Sequence, residues 1–337
     1  MRNQVDIDLK QIKRNALAIK NCLKNDCKLC VVLKADAYGH GAVEVANAVY
    51  TVADYFAVAL LEEAKELRFS GIKKQILVLI PILDSEISKA IELNVALTVD
   101  RLNQLLLIEK ECEKLNTTVN VHLKYNTGMN RFGITGIDEL KKIFKRCKSF
   151  THVNIIGLYS HFSCPEKKRE KEKALRKFLL ANNIAKGYNK NILCHISAST
   201  GFLLGGADFD MVRIGLLIYG YKTVKSSRVS VRPAMQIKIP VIAKRTLRIS
   251  ESALYGKKPS LIKRKISLIR YGYADGLERK CVKGQYNHRC MDVTALKGDY
   301  KGFYVIKDVL KEAQKYKTIP YEVLCKLSLR SEKNYKR

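Results

Sequence analysis

No stretch of this chain approaches the roughly 18 uninterrupted apolar residues of a membrane-spanning helix, so no span is expected. Residues 1–20 are polar and helix-like and contain no signal-peptide core, which makes the cytoplasm the expected location. The ten cysteines form no disulfide framework and read as reduced thiols. Cys22, Cys27 and Cys30 have the C-x4-C-x2-C spacing of part of an iron–sulfur site. No fourth cysteine joins them, and Cys30 belongs to an apolar run, so no metal is expected. Acidic residues are scarce, 32 against 62 basic ones, giving a net charge of +30. That excess invites a nucleic-acid reading. Yet the basic residues are dispersed, and no zinc-finger, basic-zipper or RNA-recognition signature accompanies them. The densest run, 166–177, mixes both signs as a solvated helix face does. No specific nucleic-acid partner is expected. The glycine-rich patch at 201–206 does not fit a dinucleotide fingerprint.

What is present is a repeating alternation. The hydrophobic content of 47% supports a sizeable core. Apolar runs at 30–34, 55–59, 75–80, 96–99, 118–124, 153–160, 191–197 and 211–214 read as strands, with helical periodicity between successive ones. Strand, helix, strand in strict succession implies parallel strands, and eight of them suggest a closed (β/α)8 TIM-type barrel over 10–222. After Lys222 the texture changes. Short β-type runs at 229–231, 234–244, 265–269 and 289–294 predict a smaller, mostly β domain over 223–337.

In such a barrel, reactive groups lie just past the carboxyl ends of strands. The suspicious polar residues fall there. Lys34 ends the first strand, in Val31-Val32-Leu33-Lys34-Ala35-Asp36-Ala37-Tyr38-Gly39-His40-Gly41. Arg131 follows the fifth, His161 the sixth and Ser199 the seventh, while Arg213 and Gly215 close the eighth. A lysine ending a buried strand is costly unless it is paired, deprotonated or covalently used. Its readily shifted pKa suits Schiff-base chemistry.

The Lys34 stretch resembles the pyridoxal-phosphate signature of bacterial alanine racemases. Further motifs agree in order. They are Lys124-Tyr125-Asn126-Thr127-Gly128-Met129-Asn130-Arg131, Tyr159-Ser160-His161-Phe162, the run from His195 to Ser199, and Val212-Arg213-Ile214-Gly215. Leu254-Tyr255-Gly256, Tyr271-Gly272-Tyr273-Ala274-Asp275-Gly276, Cys290-Met291-Asp292 and Tyr321-Glu322-Val323 follow in the second domain. The resemblance implies an isomerase interconverting L- and D-alanine for peptidoglycan, with the strand at 1–9 joining the second domain. It also implies a homodimer in which that domain serves the partner's site.

Residue roles follow from the resemblance. Lys34 would hold pyridoxal 5'-phosphate and act as one base, and Tyr255 of the partner would be the other. Deprotonation of a phenol is favoured by nearby cations such as Arg213 and by a hydrogen bond from His161. Arg213 would face the pyridine nitrogen, where a guanidinium can only donate. Ser199, Gly215, Leu216, Tyr38 and Tyr321 would hold the phosphate. Arg131 and the main chain of Met291 would bind the substrate carboxylate. Lys124 stands where relatives often carry a carbamate. Asn126 departs from the usual aspartate, and the segment 329–333 departs from the usual R-V-P-R. Two alternatives are a racemase of broader specificity, for serine or basic amino acids, and a non-catalytic cofactor-binding barrel.

Overall fold

The computed structural model describes residues 3–24, 26–255, 259–276, 278–280 and 284–337. The chain divides into two compact units. One comprises Ile12–Ala37 and Ala42–Arg232. The other comprises Met1–Gln11, Tyr38–Gly41 and Pro233–Arg337, so the division after Arg232 falls later than the change in sequence texture.

The first strand of the chain is β1 (Gln4–Asp8). The larger unit then carries β2 (Lys28–Val32), β3 (Tyr55–Val58), β4 (Ile76–Val78), β5 (Ala96–Val99), β6 (Val119–Lys124), β7 (Val153–Tyr159), β8 (Leu193–His195) and β9 (Met211–Ile214). These eight form one parallel sheet in the order β8-β7-β6-β5-β4-β3-β2-β9. The ends of that order meet. The Asp210 N–H donates to the Cys194 carbonyl and the Arg213 N–H to the Ser197 carbonyl, both at 3.0 Å. The sheet is a closed barrel, and helices connect its strands.

The pattern of burial explains the choice of elements. Cys30 and Val31 in β2 are fully buried, as are Leu97 and Val99 in β5, because a barrel strand is covered on both faces. The helices bury only one stripe. In Ile137–Cys147 the stripe is Leu140, Ile143, Phe144 and Cys147, with Asp138 and Glu139 in the first turn and Lys145 and Arg146 in the last. Those charges complement the helix dipole. At the amino end of the barrel, Arg68 ties two loops together. Its guanidinium donates to the carbonyls of Leu93, Ile72, Lys74 and Asn94 at 2.7–2.9 Å.

In the second unit, β10 (Met235–Leu247), β11 (Arg264–Ile269), β12 (Thr294–Lys297), β13 (Phe303–Ile306) and β14 (Glu332–Lys336) follow. The sheet order is β12-β11-β10-β1-β14, with β13 on β10. Thus β1 pairs antiparallel with β10 and parallel with β14. Buried Asp6 in β1 is paired with Lys238 at 2.7 Å and accepts hydrogen bonds from Gln236 and Asn334. Two sequence expectations are corrected here. Residues 229–231 form no strand. Residues 289–293 form a turn that leads into β12, because the Cys290 and Met291 carbonyls are taken by the N–H groups of Tyr273 and Ala274. The helices Val309–Tyr316 and Pro320–Leu327 complete the unit.

Among the described residues no helix is long and apolar enough to cross a membrane. Nine cysteines there carry free thiols; Cys281 lies outside the described residues.

Candidate active site

Lys34 stands just past β2, partly buried. The segment that follows forms one turn of left-handed helix over Lys34–Gly39. Ala35, Asp36, Ala37 and Tyr38 have φ of 52–54°, and Gly39 has +79°. Each L-residue in that region costs roughly 1–2 kcal/mol, so the turn survives only where its surroundings over-determine it. Glu63 supplies one restraint. Its Oε1 accepts the Ala35 N–H at 2.6 Å while Oε2 accepts those of Ala59 and Leu60 at 2.7 and 3.1 Å. Asp36 supplies another, its Oδ1 accepting the Ala42 N–H at 2.8 Å. Gly39 is irreplaceable, since a Cβ there would come within 2.3 Å of the Ser328 hydroxyl.

Lys124 ends β6, only 6% exposed, with its Nζ 4.1 Å from the centre of the Tyr159 ring. Burial, then the charges of Arg213 and Arg131, push its pKa well below the ordinary lysine value. The loop that follows is organised by Asn126. Its Oδ1 accepts the N–H groups of Gly128 and Asn130 at 3.0 and 3.2 Å, and its Nδ2 donates to Asn130 and Thr135. The loop closes through Gly133, at φ +124°, where a Cβ would lie 2.8 Å from the Asn126 nitrogen. Arg131 is exposed on this loop.

Arg213, on β9, is 4% exposed. Its guanidinium donates to the carbonyls of Ser160 at 2.7 Å and Ile196 at 3.2 Å, to Nδ1 of His195 at 2.5 Å, and to Nδ1 of His161 at 3.4 Å. Both histidines are kept neutral. For His161 the causes are burial, then Arg213, Lys124, Arg131 and Lys34; for His195 they are burial, then Arg213, His122 and Lys124. Four basic side chains from the ends of β2, β6 and β9 therefore bear on His161. Nearby, the Ser199 hydroxyl accepts the Gly215 N–H at 3.3 Å, and Gly215 and Leu216 are buried.

Comparison with known proteins decides what kind of site this is. Residues 7–223 match the family model for the alanine racemase N-terminal domain. Alanine racemase 2 of Caldanaerobacter subterraneus is 31% identical over 98% of this chain and 94% of its own length. Alanine racemase 2 of Clostridium acetobutylicum is 34% identical over 82% of this chain and 72% of its own. The chain belongs to the alanine racemase family. Solved structures agree. The alanine racemase of Clostridium difficile 630 superposes with a TM-score of 0.92 at 28% identity, covering 100% of this chain and 96% of that one. The Bacillus anthracis alanine racemase with bound L-Ala-P gives 0.90 at 27% identity, covering 100% and 95%.

The remaining family positions lie in the second unit. Tyr255 is 60% exposed, its carbonyl accepting the His288 N–H at 3.0 Å and its ring 5.9 Å from the Arg279 guanidinium. Gly256 of the same motif lies outside the described residues. The Met291 side chain is exposed, and its carbonyl accepts the Ala274 N–H at 3.0 Å. Gly272 makes that approach feasible, for a Cβ there would meet the Met291 oxygen at 2.1 Å. Tyr38 and Tyr321 meet edge to face, ring centroids 5.6 Å apart, and burial raises the pKa of the Tyr321 hydroxyl.

Three residues behind Arg213 were given no role from sequence: His195 and Tyr159, which open two of the motifs above, and His122, which lies in none of them. His195 Nε2 lies 3.0 Å from Nδ1 of His122. Tyr159 stacks on His195 at 4.9 Å, its hydroxyl held by Thr98 and the Leu79 carbonyl. The available signal was a histidine at an inner position of the strand Val119–Lys124, two residues before Lys124.

Proposed function

We propose that the chain is a pyridoxal-phosphate-dependent racemase interconverting L- and D-alanine, acting in the cytoplasm as a homodimer with shared sites and supplying D-alanine for peptidoglycan. The observation carrying this reading is the sign of the pocket. Lys34, Arg131 and Arg213 bear on His161 beside the buried amine of Lys124, and among the described residues no carboxylate is paired with Lys124 or Arg213. Such a pocket suits a ligand pair bearing a phosphate and a carboxylate.

Pyridoxal phosphate fits the donors present. Lys34 offers an amine; Ser199, Gly215 and Leu216, with the hydroxyls of Tyr38 and Tyr321, suit the phosphate. Arg213 would face the ring nitrogen and, since a guanidinium only donates, would leave it unprotonated. When bound, the cofactor supplies the electron withdrawal that makes an amino-acid α-proton removable at neutral pH. The chain supplies the rest. The Lys34 amine moves a proton at one face of the substrate carbon, and the Tyr255 hydroxyl of the partner subunit moves it at the other. Arg131 grips the substrate carboxylate through two nitrogens, and the main chain at Met291 of the partner subunit is a second contact. Lys124, its pKa pushed down by burial and two arginines, is suited as the neutral amine to add carbon dioxide and lose a proton. The resulting carbamate would be an anion beside Arg131.

The test is complementation. Lys34→Ala and Tyr255→Phe proteins are each expected to form no D-alanine from L-alanine, while mixed dimers regain one competent site. Absence of recovery after demonstrated subunit exchange would sink the shared-site arrangement. The wild-type protein should be yellow, and borohydride should abolish the colour and label Lys34. A panel of amino acids, with serine and lysine included, separates alanine from broader specificity.

A further inference from the structure

We infer that His122 is a positioning residue for Arg213: it ends a one-way chain of hydrogen bonds that begins at the guanidinium and fixes the tautomer of the intervening His195. The direction follows from elementary donor and acceptor rules. A guanidinium donates and cannot accept. With Arg213 Nη1 2.5 Å from His195 Nδ1, that nitrogen must be bare. The His195 proton therefore sits on Nε2, which lies 3.0 Å from His122 Nδ1. His122 must accept there, and its own proton is left on Nε2. That atom is buried with no partner among the described residues. Reversing the chain would set an N–H of His195 against an N–H of Arg213. Protonating either ring would do the same, and burial together with Arg213 opposes it, holding His122 at about 3 and His195 well below the usual histidine range.

A buried N–H with no acceptor is a cost that an apolar residue of similar size would avoid. The barrel nevertheless makes room for the ring. The register between β6 and β7 shifts between Val121 and His122, and opposite His122 stands Gly157. A Cβ at Gly157 would come within 1.9 Å of His122 Nδ1. Tyr159 and Tyr55 meet the ring edge-on, each at 6.4 Å. The Ser160 and Ile196 carbonyls hold Nη2 of Arg213 directly. Its Nη1 is held through His195, whose orientation depends on Tyr159 stacked on its face and His122 at its far edge.

The tautomers are independent of the racemase reading; the kinetic consequence rests on it. Protein loaded with pyridoxal phosphate and labelled with nitrogen-15 at histidine is the sample. Two-bond proton–nitrogen spectra should show His122 and His195 as neutral Nε2–H tautomers from about pH 5.5 to 8.5. An Nδ1–H tautomer or a cation at His122 would overturn the inference. In kinetics, His122→Asn keeps an acceptor near the Nδ1 position and His122→Leu removes it. The leucine variant should lose about tenfold in kcat with KM for alanine within about twofold, and should bind pyridoxal phosphate several-fold more weakly. Asparagine should restore kcat to within about threefold of wild type. A leucine variant with native near-UV dichroism and wild-type kcat and cofactor affinity, or an asparagine variant no better than leucine, refutes the role. If the leucine variant fails to fold, the wild-type spectra and the asparagine variant decide. If wild-type protein racemises no alanine, the proposed function fails while the tautomer result stands.

Discussion

Lys124 and Ala35 show how much a single position can carry. Lys124 is buried against Tyr159 with two arginines acting on it, so its amine gives up its proton at a lower pH than a surface lysine does. A neutral amine reacts with carbon dioxide, and an ammonium does not. The proposed carbamate is expected to add the mass of one carbon dioxide in bicarbonate buffer, in wild-type protein but not in Lys124→Met. Stripping carbon dioxide should lower wild-type kcat/KM and leave the variant unchanged. Ala35 is exposed at φ 52°, where the missing glycine is a measurable deficit. Ala35→Gly should raise stability by about 0.5–1 kcal/mol in urea unfolding, the relief of the left-handed penalty exceeding the entropy cost. A loss of stability would show that the strain is not where φ places it. Lys34, Arg131 and His161 were legible because each sits in a short ordered run at a strand end. His122 was not, since its role depends on which atoms face it across the closed barrel and on the gap at Gly157.

The barrel strands were legible for a related reason: burial on both faces leaves near-continuous apolar runs, and alternation with helices then dictates parallel pairing. The second unit was harder to read. Arg289-Cys290-Met291 has the look of a strand, but its carbonyls serve the turn after Gly272. The helix Val309–Tyr316 did leave a signal, with Asp308 accepting the N–H groups of Leu310 and Lys311, and Pro320 opens the next helix in the first turn. Arg68 joins the loops before β4 and β5 through four carbonyls and lies at the end of the barrel away from Lys34. Arg68→Ala should therefore cost about 2–3 kcal/mol in urea unfolding and leave KM for alanine unchanged. A stability change below about 0.5 kcal/mol would mean that water replaces the guanidinium fully.

Three neutral histidines, His122 and His195 buried and His161 half-buried, tie the stability of the molecule to pH. The folded pKa values of His122, His161 and His195 all lie below the ordinary 6.5, His122 at about 3. The unfolded chain therefore binds more protons than the folded one below about pH 6.5. The stabilisation is complete above that pH and is lost as pH falls toward the folded values, at about 1.4 kcal/mol per unit for each histidine. The urea midpoint should drop from pH 6.5 to 5, and His122→Asn should flatten the slope by one histidine's share. An unchanged slope would mean that His122 is already protonated in the folded protein. The left-handed turn adds a constraint of another sort, in time. Glu63 leaves the ribosome after Ala35, whose amide it accepts, together with those of Ala59 and Leu60. Until that carboxylate has docked, only the Asp36–Ala42 hydrogen bond opposes relaxation of the turn to the right-handed conformations its alanines prefer. A nascent chain halted short of residue 63 would hold its lysine in no fixed direction and should capture no cofactor.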